Sequence, residues 1–327
     1  MESVGGLLEA NGAPVSAETI YDLASLTKSF VATTALRMVE AGNLDLATRA
    51  DQELSDLRGN VAAGASLENL LSHRAGLDAW GGLYLDVPPE LGAGAARRWM
   101  LGEAGRRTHD EPDGACVYSD LGYMLAGEMI ARAHGDSLAS AVRTYVTEPL
   151  GVADRIQYVG ALASHERATI ARVAAPTERC EWRGRIVRGE VHDENCAALG
   201  GVSGHAGLFG IARAVARFGT ALVDVASGRS EFLPASALQM ALADRPGGSR
   251  YRMGFDTKVG VDSAMGKRSS AGTFGHLGFT GTSLLCDPDR ELVVVLLSNR
   301  VHPSRANEKI RAFRPAFHDG VVAAFDG

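Results

Sequence analysis

A serine and a lysine three positions apart open the chemistry of this sequence. In "YDLASLTKSF", Ser25 precedes Lys28 at the head of a strongly apolar segment. Positions i and i+3 share one helical face, so the hydroxyl and the amine would meet side by side. A serine hydroxyl is a poor nucleophile until a neighbouring base takes its proton. Lysine serves as that base when neutral, and burial is expected to lower its pKa far enough. The N-terminus of the same helix would aim backbone N–H groups at a developing oxyanion. The bland reading is a capping serine beside a lysine that snorkels outward. Lysine is scarce here, at Lys28, Lys258, Lys267 and Lys309, while arginine is abundant. A lysine buried in an apolar helix costs free energy that something must offset.

Elements have to hold these groups in place, and 327 residues with 46% apolar content suffice for a core. From Leu26 the residues Phe30, Val31, Met38 and Val39 run at helical spacing until Gly42. "ASLENLLSHRAGL" reads as a short helix capped by Ser66. Leu121, Met124, Leu125 and Met129 form a stripe capped by Asp120 and closed by Gly135. Ile211, Val215, Phe218, Leu222 and Val225 form another, ending at Gly228. "FGHLGFTGTSLLCDP" and "ELVVVLLSN" are β-rich runs joined by "DPDR", as in an antiparallel hairpin, and a last helix carries Ile310, Phe313, Phe317, Val321 and Phe325. The polar stretches from about Glu103 to Gly114 and from Thr177 to Asn195 read as loops. The order is α+β, without repeats or alternating βαβ units.

A net charge of -6 and the lack of a basic cluster with aromatics exclude a nucleic-acid binder. The longest apolar run, "LVVVLL" from Leu292, is too short to span a bilayer, and no secretory signal is visible. As given, the chain reads as cytoplasmic. Cys116, Cys180, Cys196 and Cys286 form no CxxC pair and read as reduced thiols. A metal site from His192, Asp193 and Cys196 would be half a site. His73 and His205, in glycine-flanked turns, read as structural, and His192 and Asp193 as entrance residues.

Two further motifs complete the pattern. "VYSDLGYMLAGEMI" places Tyr118 two residues before Asp120 at the mouth of a helix, and "GHLGFTGTS" places His276-Leu277-Gly278 at the start of a late strand. Ser-x-x-Lys, Tyr-x-Asn and Lys-Thr-Gly, in that order, are the motif set of penicillin-recognising serine enzymes. With "DLASLTK", "LLSHRAGL", "YSDLGYMLAGE", "GGVSGHAGLFG" and "GFTGTS…LSNRVHP", the chain resembles the class C β-lactamase and D-alanyl-D-alanine carboxypeptidase superfamily, including its serine esterases, from about residue 18 to the last helix.

The resemblance implies a β-lactamase/transpeptidase-like fold in a single catalytic domain over 1–327. Its α/β part would be about 1–50 and 230–327, and its helical part about 51–229. Ser25 would be the acylated nucleophile, Lys28 its base and Tyr118 the proton carrier to the leaving group. The N–H groups of Ser25 and Phe279 would form the oxyanion hole, and Asp120, His276 and Gly278 would meet substrate. Asp120 stands where an asparagine is usual, and it serves as a helix cap or a substrate contact. His276 stands where a lysine is usual, as in many esterases of the family, which weakens the anchor for a substrate carboxylate.

Two functions follow from the resemblance. One is an acyl-enzyme esterase or amidase for a small ester, lactam or D-amino-acid peptide, with no metal or organic cofactor. The other is a binding or sensor module that is acylated without turnover. The resemblance also implies a helix and two strands ahead of Ser25, where 24 residues have room for one strand around "SVGGLLEA". The expectation is therefore an internal start, a part-covered last helix and an open sheet edge, with an export signal upstream as one option. Oligomeric state is not legible.

Overall fold

The computed structural model describes residues 1–57, 60–109, 114–246, 249–260 and 263–327, with the backbone alone at 56 and 61. The chain enters through an irregular segment. The strand expected around "SVGGLLEA" is not formed: Leu7 bridges Pro14 across a tight turn, and Gly6 adopts φ +94. Such a conformation ends extended pairing where it occurs.

Next come β1 (Tyr21–Asp22), a 3-10 turn (Ala24–Leu26) and helix α1 (Thr27–Glu40). α1 is buried on almost every side from Thr27 to Leu36, which makes it the central helix of the core. It stops where Gly42 takes φ +72. Helices α2 (Leu67–Leu71), α3 (Ala93–Arg106) and α4 (Asp120–His134) follow. Ser66 caps α2 by accepting from Asn69 N–H, as the sequence predicts. The cap of α4 is Ser119, whose Oγ accepts from Gly122 N–H at 3.0 Å, and not Asp120. Asp120 is instead the first helical residue, which leaves its side chain free to face inward.

Beyond α4 run β2 (Ile156–Tyr158), β3 (Pro176–Cys180), β4 (Arg185–Arg188), helix α5 (Glu194–Ala198), β5 (Leu208–Gly210) and helix α6 (Ala212–Ala226). The loop expected from Thr177 to Asn195 is therefore largely the β3–β4 hairpin and the start of α5. Its polar composition hid strands whose outward arginines pair with acids, Arg185 with Glu190 and Arg188 with Glu9, while Thr177 and Val187 turn inward. In the loop expected from about Glu103 to Gly114, residues up to Arg106 complete α3, and 110–113 lie outside the described residues.

The C-terminal sheet has the order β6 (Asp256–Thr257), β7 (Phe274–Leu277), β8 (Ser283–Asp287) and β9 (Leu292–Leu296), antiparallel throughout. The hairpin across "DPDR" is present as β8–β9, with Asp287 facing Leu292. β1, β5 and β2 make a second, three-stranded antiparallel sheet. α1 and α6 meet through stacked Phe30 and Phe218, ring centroids 3.9 Å apart, and α6 lies on β8 and β9.

The last helix, α7 (Ile310–Phe325), buries Ile310, His318 and Val322. The expected stripe is rotated: Phe313 and Phe325 are 52% and 55% exposed, while Phe317 and Val321 flank Met265, Leu285 and Val294. A polar residue occupies the innermost position, which apolar spacing does not register. The His318 Nδ1–H donates to the Ala264 carbonyl and its Nε2 accepts from Ser283. β9 is an edge strand in which only Val294 is buried. No helix among the described residues is long and apolar enough to cross a membrane.

Candidate active site

Ser25 lies in the 3-10 turn immediately before α1, and Lys28 lies in the first turn of α1. Ala24 reaches φ +48 to make this turn, an uncommon conformation for a residue with a side chain. Asp22 holds it by accepting from Ala24 N–H at 2.8 Å. The result leaves Ser25 half-buried between buried neighbours, with its Oγ 3.0 Å from Lys28 Nζ.

Lys28 is completely buried. Its Nζ also reaches the His205 carbonyl at 3.2 Å and Asp120 Oδ1 at 2.6 Å. The second contact is an ion pair whose angle is not that of a hydrogen bond. Burial works most strongly against the ammonium, but Asp120 and Tyr118 together more than offset it, so the pKa stands above its ordinary value. This reverses the expectation that burial leaves Lys28 ready as a neutral base. The carboxylate was read as a helix cap or a substrate contact, and in the structure it faces the lysine.

Tyr118 belongs to the segment entering α4. Its hydroxyl hydrogen-bonds with both Ser25 and Lys28, and its ring lies 4.6 Å from His73 and 4.9 Å from Tyr251. Burial raises its pKa, so the resting group is the phenol. His73, at φ +61, accepts from Ser119 N–H through Nδ1, which fixes the approach to α4. Burial, with Lys28 adding to it, keeps the His73 pKa well below the usual value.

The third motif sits at the end of β7, not at its start. His276 donates Nδ1–H to the Leu277 carbonyl at 2.9 Å, and burial drives its pKa down to about 3, so the ring is neutral. After Leu277 the chain crosses the turn ahead of Ser25. Thr280 donates to the Asp22 carbonyl and Thr282 to the Leu23 carbonyl. A Cβ on Gly278 would lie 2.7 Å from the Leu23 oxygen and 2.0 Å from Thr282 Oγ1, so the close approach requires glycine. The amides of Ser25 and Phe279 donate to no protein acceptor among the described residues.

These groups line a cleft of about 740 Å³ that also takes in Trp80, His192, Asp193, Arg250, Arg300 and Arg314. Ser25, Tyr118, Asp120, His276, Gly278 and Phe279 are thus brought together on one wall or another, with Lys28 buried behind Ser25. Arg250, Arg300 and Arg314 were not singled out from sequence. Arg314 shares its helix with Arg311, His318 and Asp319, so nothing in the spacing singles it out. Its guanidinium donates to the Gly278 and Thr282 carbonyls and has no carboxylate partner among the described residues, and burial lowers its pKa to about 10.

His192 and Asp193 line the cleft, as the sequence reading places them. His192 contacts Glu178 at 2.9 Å, and its ring stacks on Phe279. Asp193 caps α5 through Cys196 N–H and pairs with His205. Among the described residues no cluster of acids, histidines and cysteines fits a metal ion, and the Cys196 thiol faces the Ala206 carbonyl.

Residues 2–316 match the family described as Beta-lactamase. The chain belongs to that family. A relative from Escherichia coli O157:H7, named "Putative D-alanyl-D-alanine carboxypeptidase", is 28% identical over 326 residues, covering 91% of this chain and 73% of the relative. Among solved structures, EstCE1, titled a hydrolase with promiscuous acyltransferase activity, is 20% identical with a TM-score of 0.70, covering 94% of this chain and 88% of that one. SurE is 22% identical with a TM-score of 0.68 over 94% of this chain, which spans 65% of SurE. The β-lactamase/transpeptidase-like α+β fold is thereby shown, and the chain is a hydrolase of the Beta-lactamase family.

Proposed function

We propose that the protein is a serine hydrolase that works through an acyl-enzyme on Ser25. Its substrates on this reading are a small ester, amide, β-lactam or D-amino-acid peptide, with esters favoured over β-lactams. The observation that carries it is the 3.0 Å contact from Ser25 Oγ to Lys28 Nζ at the cleft wall, with the Tyr118 hydroxyl in reach of both.

In acylation, the amine form of Lys28 takes the Ser25 proton as Oγ bonds to the substrate carbonyl carbon. The carbonyl oxygen becomes an oxyanion and accepts from the Ser25 and Phe279 N–H groups. Collapse breaks the bond to the leaving group, which receives the Tyr118 proton, and Tyr118 regains one from Lys28. Water then enters, loses a proton to the same pair, and releases the acid with Ser25 restored. Neutral His276 supplies no charge for a substrate carboxylate, which supports the preference for esters. Gly278 and His276 form the wall beside the bound acyl group.

Ser25→Ala is expected to abolish covalent labelling by a fluorophosphonate probe while the thermal melt stays cooperative. Labelling at the wild-type rate, or at another serine, would overturn the assignment. With chromogenic esters, a burst followed by steady turnover marks the enzyme. A burst alone marks a module that is acylated without release.

A further inference from the structure

Lys28 Nζ faces Ser25 Oγ, the His205 carbonyl and Asp120 Oδ1, with the Tyr118 hydroxyl also in reach. The carbonyl accepts an N–H in either protonation state of the lysine, whereas the Asp120 carboxylate forms its ion pair with the ammonium alone. The contact to Ser25 reverses its direction with that charge. An ammonium donates a proton to Oγ, whereas an amine presents a lone pair there and accepts from the Ser25 O–H. One geometry thus serves a resting and a reactive state that differ by a single proton.

The local charges decide between them. Around Nζ stand the Tyr118 ring at 4.8 Å and the Tyr123 ring at 5.5 Å. His73 and His276, both neutral, lie close enough to feel its charge, and Arg250 acts on Tyr118 and His276. Asp120 is the carboxylate in this ring of groups. In the motif set that the chain resembles, an asparagine would stand here, without charge.

We propose that Asp120 is a positioning residue that holds Lys28 as an ammonium in the free enzyme and so moves the onset of hydrolysis to alkaline pH. Its effect on rate rests on the acyl-enzyme reading, but the charge state of Lys28 does not. Asp120 acts through the lysine: it stabilises the resting ammonium against the amine that accepts the Ser25 proton. Replacing it by a neutral side chain leaves burial less compensated and favours the amine.

The small number of lysines makes this measurable. Lys258, Lys267 and Lys309 are each replaced by arginine, and the full chain is labelled with nitrogen-15 lysine, leaving the Lys28 Nζ as the observed side chain. At about pH 9, below the ordinary lysine value, the parent should show an ammonium. Asp120→Asn and a second neutral variant, Asp120→Ser, should titrate about 1–3 pH units lower than the parent, while Asp120→Glu should stay near it. The acid limb of kcat/KM should move in the same direction for Asp120→Asn. An unchanged Lys28 midpoint in both neutral variants overturns the proposal. If Ser25→Ala still turns over substrate while the Lys28 midpoint falls in the neutral variants, the acyl-enzyme reading fails and the charge assignment stands.

Discussion

Asp193 Oδ1 and His205 Nε2 meet at 2.7 Å, and the backbone carbonyl of that same histidine receives Lys28 Nζ. The imidazole continues through Nδ1 to Ser203 Oγ at 2.9 Å, so both ring nitrogens are engaged. The chain of contacts fixes a buried peptide against the lysine. His205, read from sequence as structural, is structural in this specific sense: its ring is anchored so that its carbonyl stays in place.

Asp193→Asn tests this anchor with little other disturbance, because an amide oxygen can still cap α5 at Cys196 N–H. The lost charge-assisted contact to a buried histidine should cost about 1–3 kcal/mol of stability. Ester turnover should fall mainly through kcat, with KM changed less, since asparagine keeps the size of this cleft-lining side chain. Urea unfolding and steady-state kinetics check both parts. A variant equal to wild type in kcat would refute the link from Asp193 to Lys28.

Neutral His276 leads to a prediction on substrates. Short-chain aryl esters should give a higher kcat/KM than cephalosporins at neutral pH. His276→Lys should shift that ratio toward substrates bearing a carboxylate. It should also lower stability, because a second buried lysine would stand near Lys28, Arg250 and Arg314. Cephalosporin turnover by the wild type equal to ester turnover would sink the idea.

Stability should fall on mild acidification. His276 and His318 are buried with pKa values lowered to about 3 and about 4, and His73 is lowered well below its usual value. Their folded values lie below the unfolded one, so the stabilisation is present above about pH 6.5 and is lost as pH falls toward the folded values. His276 and His318 each contribute on the order of a few kcal/mol over that range, and His73 acts in the same direction. Asp256 opposes them: its pKa is raised to about 6, so unfolding pressure from its charge fades as pH drops below that value. Asp22, raised by burial, opposes them as well, while Glu178 and Asp193, held low by their histidine and arginine partners, add to the loss, and the net slope is a loss. Urea midpoints measured from pH 7 to about pH 4.5 should decline, and His318→Gln, which has no charge to gain, should flatten the curve. A flat wild-type profile would count against buried neutral histidines.

How much was legible in the sequence depended on what each residue was doing. α1, α4 and α6 were readable because apolar spacing and closing glycines agree there. The β8–β9 hairpin was readable because a Pro-containing turn separates two apolar runs. The β3–β4 hairpin was lost because its exposed face is built from arginine–glutamate pairs, which read as a loop. The face of α7 was misjudged because the buried position is His318, held by hydrogen bonds and not by apolar character. Within the site, Ser25, Tyr118, Asp120, His276, Gly278 and Phe279, which motif order singles out, all line one cleft. The sequence did not reveal that Asp120 faces Lys28, because the cap belongs to Ser119 one residue earlier. Nor did it reveal Arg250 and Arg314, which reach the cleft through tertiary folding alone.

The contact at Gly278 has a counterpart on the other side of the nucleophile. Gly254, at φ +80, would place a Cβ 2.2 Å from that of Ala32 and 3.3 Å from the Lys28 carbonyl. The helix bearing Lys28 and the turn bearing Ser25 are therefore gripped between two backbones with no room for a side chain. For anyone diversifying this protein, those two positions are closed: variants there would report loss of the scaffold, not new selectivity. The open positions are the cleft residues whose side chains already project into solvent, Trp80 at 46% and Phe279 at 48% exposure, where libraries can change what enters without moving what reacts.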